Sequence, residues 1–249
     1  PIVTYSVLGT YDVTMKVTGL SGIDSLTLPA YLNVTTPPIG QSLPYAETFE
    51  SLTWPPVDIT IDNPDGGITW ELDTTAVAYA GIASAKINNL INTNYGQSDA
   101  MILPAFDFTT FGGTAYLSFR WAYAKSDPSY SDELIVLVSS DCGVNFSQVF
   151  YKSGTAMTTG PTQTTPYLPD SSTVWKWANI SLSAYAAQTN VIVKIVNVTD
   201  GGNNLYIDHI NLGINTLAIE DQNAPLLNVQ ICPNPANHAF NLSYQLTES

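Results

Sequence analysis

"TAYLSFRW", Thr114–Trp121, decides the fold class. Ala115, Leu117, Phe119 and Trp121 fall on one face, and Tyr116, Ser118 and Arg120 on the other. A period of two is the pattern of a strand with one side in a core and one toward water. Outward from it, "ELIVLVSS" (Glu133–Ser140) is apolar on both faces and reads as a central strand. "NVIVKIVNV" (Asn190–Val198) alternates less cleanly, and Lys194 is expected at an edge or rim. No amphipathic helical stretch exceeds about two turns. "TTAVAYAGIASAKI" (Thr74–Ile87) has helix-friendly alanines, but its Thr and Tyr content fits strand and loop as well. The fold class is all-β.

Composition narrows the partners. Seven Lys plus Arg stand against 21 Asp plus Glu, a formal net charge of −14 over 249 residues. That field repels phosphate backbones and anionic membrane surfaces, and no basic stripe offsets it. Nucleic acid is excluded as a natural partner, and divalent cations are favoured. Apolar residues make up 45% and charged residues only 11%, so Thr, Ser, Asn and Gln must cover the solvent faces, as in secreted β-rich proteins. No run of about 18 apolar residues occurs. The chain opens mid-pattern at Pro1 without a signal peptide and reads as a piece of a longer polypeptide. Cys142 and Cys232 are too few for a disulfide framework; two free thiols, or one bridge from tail to core, both stay open.

Two breaks divide the chain. "NVTTPPIGQSLPY" (Asn33–Tyr45) has linker composition, and "NTLAIEDQNAPL" (Asn215–Leu226) loses the alternation. The pieces are 1–35, a linker at 36–44, 45–215, a linker at 216–224, and 225–249. The first, with Tyr5, Gly9–Thr10–Tyr11, Val13, Val17, Gly22 and Asp24, resembles the last strands of a PKD domain, an immunoglobulin-like sandwich. The last, with Ile231, Pro233–Asn234–Pro235 and Phe240, resembles the opening of the sorting domain of type IX secretion cargo in the Bacteroidota. The middle piece, through "YAETFES", "WELD", "SDELIVLVSSDCGVNF", "WKWANISLSAY" and "NNLYIDHINL", resembles MAM-like jelly rolls, including the cleaved-adhesin modules of gingipains. These resemblances imply a jelly-roll sandwich in a secreted or outer-membrane surface-anchored protein, exported through the periplasm by type IX machinery. The layout also resembles proteins that begin with a pappalysin-like zinc metalloprotease domain.

The candidate sites are few. Asp208 and His209 adjoin in a strand pattern, so strict alternation puts Asp208 with Tyr206, Ile210 and Leu212 and His209 with Leu205, Ile207 and Asn211. Such neighbours do not form a dyad. No G-x-S-x-G or H-E-x-x-H stretch supports catalysis, and the chain is expected to be non-enzymatic. A carboxylate on an apolar face needs a partner, and cations are scarce, so Ca²⁺ is the expected ion. By resemblance to related jelly rolls, Glu47 and Asp208 are its ligands, with Asn204 as a helper and Glu50 as the competing acid; a plain hydrogen-bonded aspartate is the alternative. "IDNPDGGITWEL" places Asp62, Asn63 and Asp65 within four residues, a second oxygen-rich loop or an ordinary turn. Trp54, Trp121, Trp175 and Trp177 are the candidates for a stacking face: Trp121 reads as core, and Trp175 and Trp177 as a ligand pair or an aromatic lid. N-x-S/T sequons at Asn33, Asn145, Asn179, Asn197 and Asn241 reflect composition, whereas "DSL" at Asp24–Leu26 fits the O-glycan pattern of type IX cargo.

Together these readings give a non-catalytic accessory or adhesion region: a calcium-stabilised jelly roll that binds a glycan or protein surface. Two alternatives stand beside it, the substrate-docking tail of a zinc metalloprotease and a dedicated carbohydrate-binding module.

Overall fold

The computed structural model describes residues 9–20, 22–34, 39–214, 230–232 and 241–243. In chain order the strands begin with β1 (Gly9–Gly19), β2 (Gly22–Val34), β3 (Gln41–Ser42), β4 (Tyr45–Glu47), β5 (Thr60–Asp62) and β6 (Glu71–Asp73). They continue with β7 (Ser84–Asn88), β8 (Ser98–Ile102), β9 (Phe106–Asp107), β10 (Tyr116–Tyr123), β11 (Glu133–Ser139) and β12 (Ser147–Ser153). The last are β13 (Lys176–Ser181), β14 (Ile192–Val198), β15 (Asn204–Gly213), β16 (Gln230–Cys232) and β17 (Asn241–Ser243). The chain divides into two units, Pro1–Ile214 and Asn215–Ser249. In the second unit β16 pairs antiparallel with β17; Pro233, Asn234 and Pro235 of the sorting-type motif lie outside the described residues.

The all-β reading holds, as a two-sheet sandwich. One sheet has six strands in the order β13-β10-β15-β7-β6, with β4 also pairing β15. The other has five, ordered β12-β11-β14-β8-β5. β10 therefore pairs on both sides, and its alternation pays off in packing: Ala115, Leu117, Phe119 and Trp121 are all in the core. They meet Leu134, Val136 and Val138 of β11 and Val193 and Ile195 of β14. Each such buried side chain contributes roughly 1.5–3 kcal/mol of transfer free energy. The indole of Trp121 stays satisfied in the core by donating Nε1–H to the carbonyl of Met157, at 2.9 Å.

β11 is central, as its sequence suggests. β14 is also central rather than at a rim, between β11 and β8. Lys194 is tolerated there because its ammonium turns outward, 3.2 Å from Asp62 Oδ2 and 4.7 Å from the ring centroid of Phe146. The turn at Asp141–Gly143 joins β11 to β12, whose antiparallel register runs Glu133↔Ser153 to Val138↔Ser147. Cys142 in that turn is a free, exposed thiol. β1 and β2 form a separate hairpin in which Val13 faces Leu28 and Met15 faces Leu26. The apolar face is formed, yet Met15 and Leu26 are 61% and 57% exposed.

Candidate functional site

Asp208 lies where β15 breaks step. Ser118 of β10 faces Asn211, but Arg120 faces Asp208, so His209 and Ile210 together oppose Phe119. The extra residue is a β-bulge, and His209 adopts φ 55°, uncommon for any residue but glycine. The bulge reverses the sidedness. Leu205 and Ile207 before it and Ile210 and Leu212 after it all enter the core, while Tyr206 joins an outer aromatic cluster. Strict alternation therefore misplaced Asp208: it shares a side with Tyr206, not with Ile210 and Leu212.

On that outer side Asp208 is fully buried by the 79–83 loop. Its Oδ2 accepts from Ala80 N at 3.2 Å and its Oδ1 from His209 N at 2.6 Å. Burial pushes its pKa up to about 7 against these backbone hydrogen bonds, and the charge of Glu50 pushes the same way. Glu50 holds the same loop, accepting from Ile82 N at 2.9 Å and Ala83 N at 3.0 Å. Only glycine fits between them: a Cβ on Gly81 (φ +80°) would stand 2.3 Å from the Glu50 carboxylate. Glu50, rather than Glu47, thus shares this corner with Asp208. Glu47 faces Ile210 and accepts from Phe49 N instead. Asn204 is four residues along β15, about 13 Å at ~3.3 Å per residue, too far to share an ion with Asp208. Its amide donates to the Tyr167 carbonyl and to Tyr206 Oη, at 3.0 and 3.1 Å.

A second acidic corner forms around β5 and β8. Asp62 pairs with Lys194 at 3.2 Å. Asp65 accepts from Gly67 N and Asn94 Nδ2, both at 2.9 Å, which lowers its pKa. The acid that the sequence did not reveal is Asp99. It is 1% exposed, and neither carboxylate oxygen has a hydrogen-bond partner among the described residues. Burial raises its pKa; the nearby Thr69 hydroxyl, outside hydrogen-bond geometry, lowers it, and the charges of Asp65 and Asp62 raise it further. Asn63 Oδ1 and Thr69 Oγ1 are likewise buried without partners. Among the described residues, no three His, Cys, Asp or Glu side chains converge as a metal-holding group.

The two tryptophans separate. Trp175 is 6% exposed, donates Nε1–H to Val77 O at 3.1 Å and packs edge-on against Tyr206, centroids 6.2 Å apart. It roofs the sheet with Tyr167 and cannot present a ring face to a ligand. The loop at 158–171 closes over it, pinned by Gln163 N to Lys125 O at 2.9 Å and Tyr167 N to Asn203 Oδ1 at 2.8 Å. Trp177 is half-buried on the outer face, opposite Arg120. The guanidinium lies 4.3 Å from the Tyr79 ring centroid and 5.4 Å from that of Trp177. Tyr79 in turn meets His209 edge-on at 5.6 Å. The row Trp177–Arg120–Tyr79–His209 draws on β13, β10, the 79–83 loop and the bulge of β15. At its end, His209 Nδ1 is buried and has no hydrogen-bond partner among the described residues. Burial, and then the charge of Arg120, lower the His209 pKa, so the ring is neutral at pH 7.

No family model and no curated protein matches the chain. Solved structures do. The K1 cleaved adhesin domain of Lys-gingipain from Porphyromonas gingivalis aligns with a TM-score of 0.50 and 16% identity, over 70% of this chain and 99% of that one. The fold is a jelly-roll β-sandwich. The K2 cleaved adhesin domain aligns at 0.49 with 19% identity, over 69% and 100% of the two chains. A structure described under carbohydrate-binding modules of the β-sandwich superfamily aligns at 0.44 with 17% identity, over 84% and 76%. Among the described residues, no helix is long and apolar enough to cross a membrane.

Proposed function

We propose that the sandwich is a non-catalytic binding module whose ligand is carbohydrate, held on the outer face of the six-stranded sheet. The observation that carries this reading is the Trp177–Arg120–Tyr79–His209 row. Half-buried rings offer apolar faces for the C–H faces of a sugar ring, and the Arg120 cation between two of them fixes their orientation before a ligand arrives. The left-handed backbone of His209 stores strain at the end of the same row, as binding sites often do.

Native electrophoresis through gels containing soluble xylan, mixed-linkage β-glucan or galactan tests the reading. Retardation of the wild-type chain by at least one polysaccharide, and its loss in Trp177→Ala, is expected. Unretarded migration in all three gels contradicts it.

Calcium belongs to the same proposal as a structural ion. Both acidic corners supply oxygen donors only, which suits Ca²⁺ rather than Zn²⁺. Glu50 and Asp208 would hold one ion, tying the chain after β4 to β15. Asp99, with the Thr69 hydroxyl, would contribute oxygens to the other; the unpartnered Asp99 oxygens support that assignment. Cell-surface delivery through type IX secretion is likewise proposed, from the motif at Ile231 and Pro233–Asn234–Pro235. Fractionation of the native producer, with the protein retained inside cells lacking that machinery, is the expected result.

A further inference from the structure

Three loops meet at one end of the sandwich, residues 94–97, 126–131 and 199–202, and they are locked together. Gly96 N donates to Thr199 O at 2.7 Å, and Thr199 N to Gln97 O at 3.1 Å. Ser126 Oγ donates to Gly201 O at 2.6 Å, and Ser131 N to Asp200 Oδ2 at 2.9 Å. Beneath them the carboxylate of Asp132, fully buried, accepts from Asp200 N and, at 3.0 Å, from Gly202 N. Gly202 is the one residue that fits over it, since a Cβ there would stand 2.1 Å from Asp132 Oδ2 and 2.2 Å from Tyr123 Oη.

This scaffold displays two tyrosines. Tyr95 is 53% exposed, and its ring lies 5.9 Å from that of Tyr130. The ring of Tyr95 seats on Gly201, where a Cβ would come within 2.9 Å of it. Two acids lie in the same loops: Tyr130 N donates to Asp127 O at 3.2 Å, and Ser131 N, the next amide, to Asp200 Oδ2 at 2.9 Å. Asp127 uses Oδ1 on Ser129 N and Oγ, at 2.9 and 2.6 Å, and Asp200 uses Oδ2 on Ser131 N. Each keeps its other oxygen open. Lys125, at the base of the 126–131 loop, donates its ammonium to the Pro128 carbonyl, and its charge reaches Asp127.

We infer that this loop end is a receptor for a cationic side chain, lysine or arginine, presented by a basic protein surface. Electron-rich tyrosine faces and carboxylate oxygens are both attractive to such a cation, and a pre-locked scaffold spares the ordering cost on binding. The site is separate from the sugar-binding row, and neither depends on the other.

The test is an amide chemical-shift titration of the full chain with an arginine-rich decapeptide at 0.15 M salt, a concentration at which diffuse charge attraction is screened beyond about 8 Å. Shifts concentrated at residues 94–97, 126–131 and 199–202 are expected, with affinity falling roughly two- to fivefold in Tyr95→Ala. Tyr95 is exposed, so that variant keeps the wild-type unfolding midpoint. Tyr95→Phe should keep most of the affinity, since the ring face remains. Shifts spread over all acidic surfaces, no shifts, or shifts at these loops with soluble xylan but not with the peptide each overturn the inference. Polysaccharide retardation in gels is unchanged in Tyr95→Ala, so failure here is distinguishable from failure of the sugar-binding row.

Discussion

Trp175 and Trp177 are two residues apart, yet they belong to regions with opposite uses. Around Trp175 the indole donor is spent on Val77 O, Tyr206 packs against the ring, and the 158–171 loop closes the surface. Around Trp177 the ring lies half-open over Arg120, followed by Tyr79 and a strained, unsatisfied His209. A tryptophan whose polar atom is satisfied under a pinned loop contributes stability. One left half-open over a stacked cation is available to a ligand.

Breaking the roof gives the largest expected effect. Trp175→Ala should cost about 3–5 kcal/mol, as removal of a packed aromatic does. Thermal unfolding should show a midpoint lowered on the order of 10 °C for a domain of this size.

The next effect sharpens the row through Asp208, which lies beneath its loop. Its folded pKa is raised to about 7 by burial, above the ordinary aspartate value of 3.8. A raised carboxyl pKa means the folded state favours the protonated form. The resulting stability is fully present below the unfolded pKa and is lost as pH rises through the folded one. Calcium-free protein should therefore lose a few kcal/mol between about pH 4 and pH 7. Urea unfolding across that range should show the slope in the wild type and its absence in Asp208→Asn.

Calcium acts in the opposite sense. Saturation to about 100 times the dissociation constant adds about 2.7 kcal/mol, a midpoint increase of roughly 5–10 °C over chelator. Glu50→Gln and Asp99→Asn should each remove part of that increase, and a midpoint indifferent to calcium in the wild type removes the ion from the account. Gly81→Ala, which forces the 79–83 loop off Glu50, should cost about 1–3 kcal/mol and weaken sugar binding by moving Tyr79, while leaving the roof intact.

The smallest stability effect belongs to Trp177→Ala, within about 1 kcal/mol in unfolding assays. The same variant is expected to lose polysaccharide retardation.

How much of this was legible in the sequence follows from how local each feature is. The core face of β10 could be read residue by residue, because Ala115, Leu117, Phe119 and Trp121 obey one strand's alternation. The hairpin of β1 and β2 obeys the same rule, so its strands form with their apolar side exposed. The bulge at His209 was hidden, since no glycine marks the extra residue and only pairing with β10 reveals it. Choosing Glu50 over Glu47 required the 79–83 loop to fold back, a contact more than thirty residues away. Asp99 carries no motif; it differs from Asp62 and Asp65 in being buried and lacking partners once β5 and β8 pair. The row itself draws on four segments, so no window of sequence contains it. Trp175 and Trp177 looked equivalent because their difference lies in what covers them.

The most direct test is an intrinsic-fluorescence titration with the polysaccharide that retards the chain most, on Trp175→Phe and Trp177→Phe side by side. The saturable fluorescence change should survive in Trp175→Phe and vanish in Trp177→Phe. A change that survives in Trp177→Phe and vanishes in Trp175→Phe would contradict the assignment of the ligand to the open row.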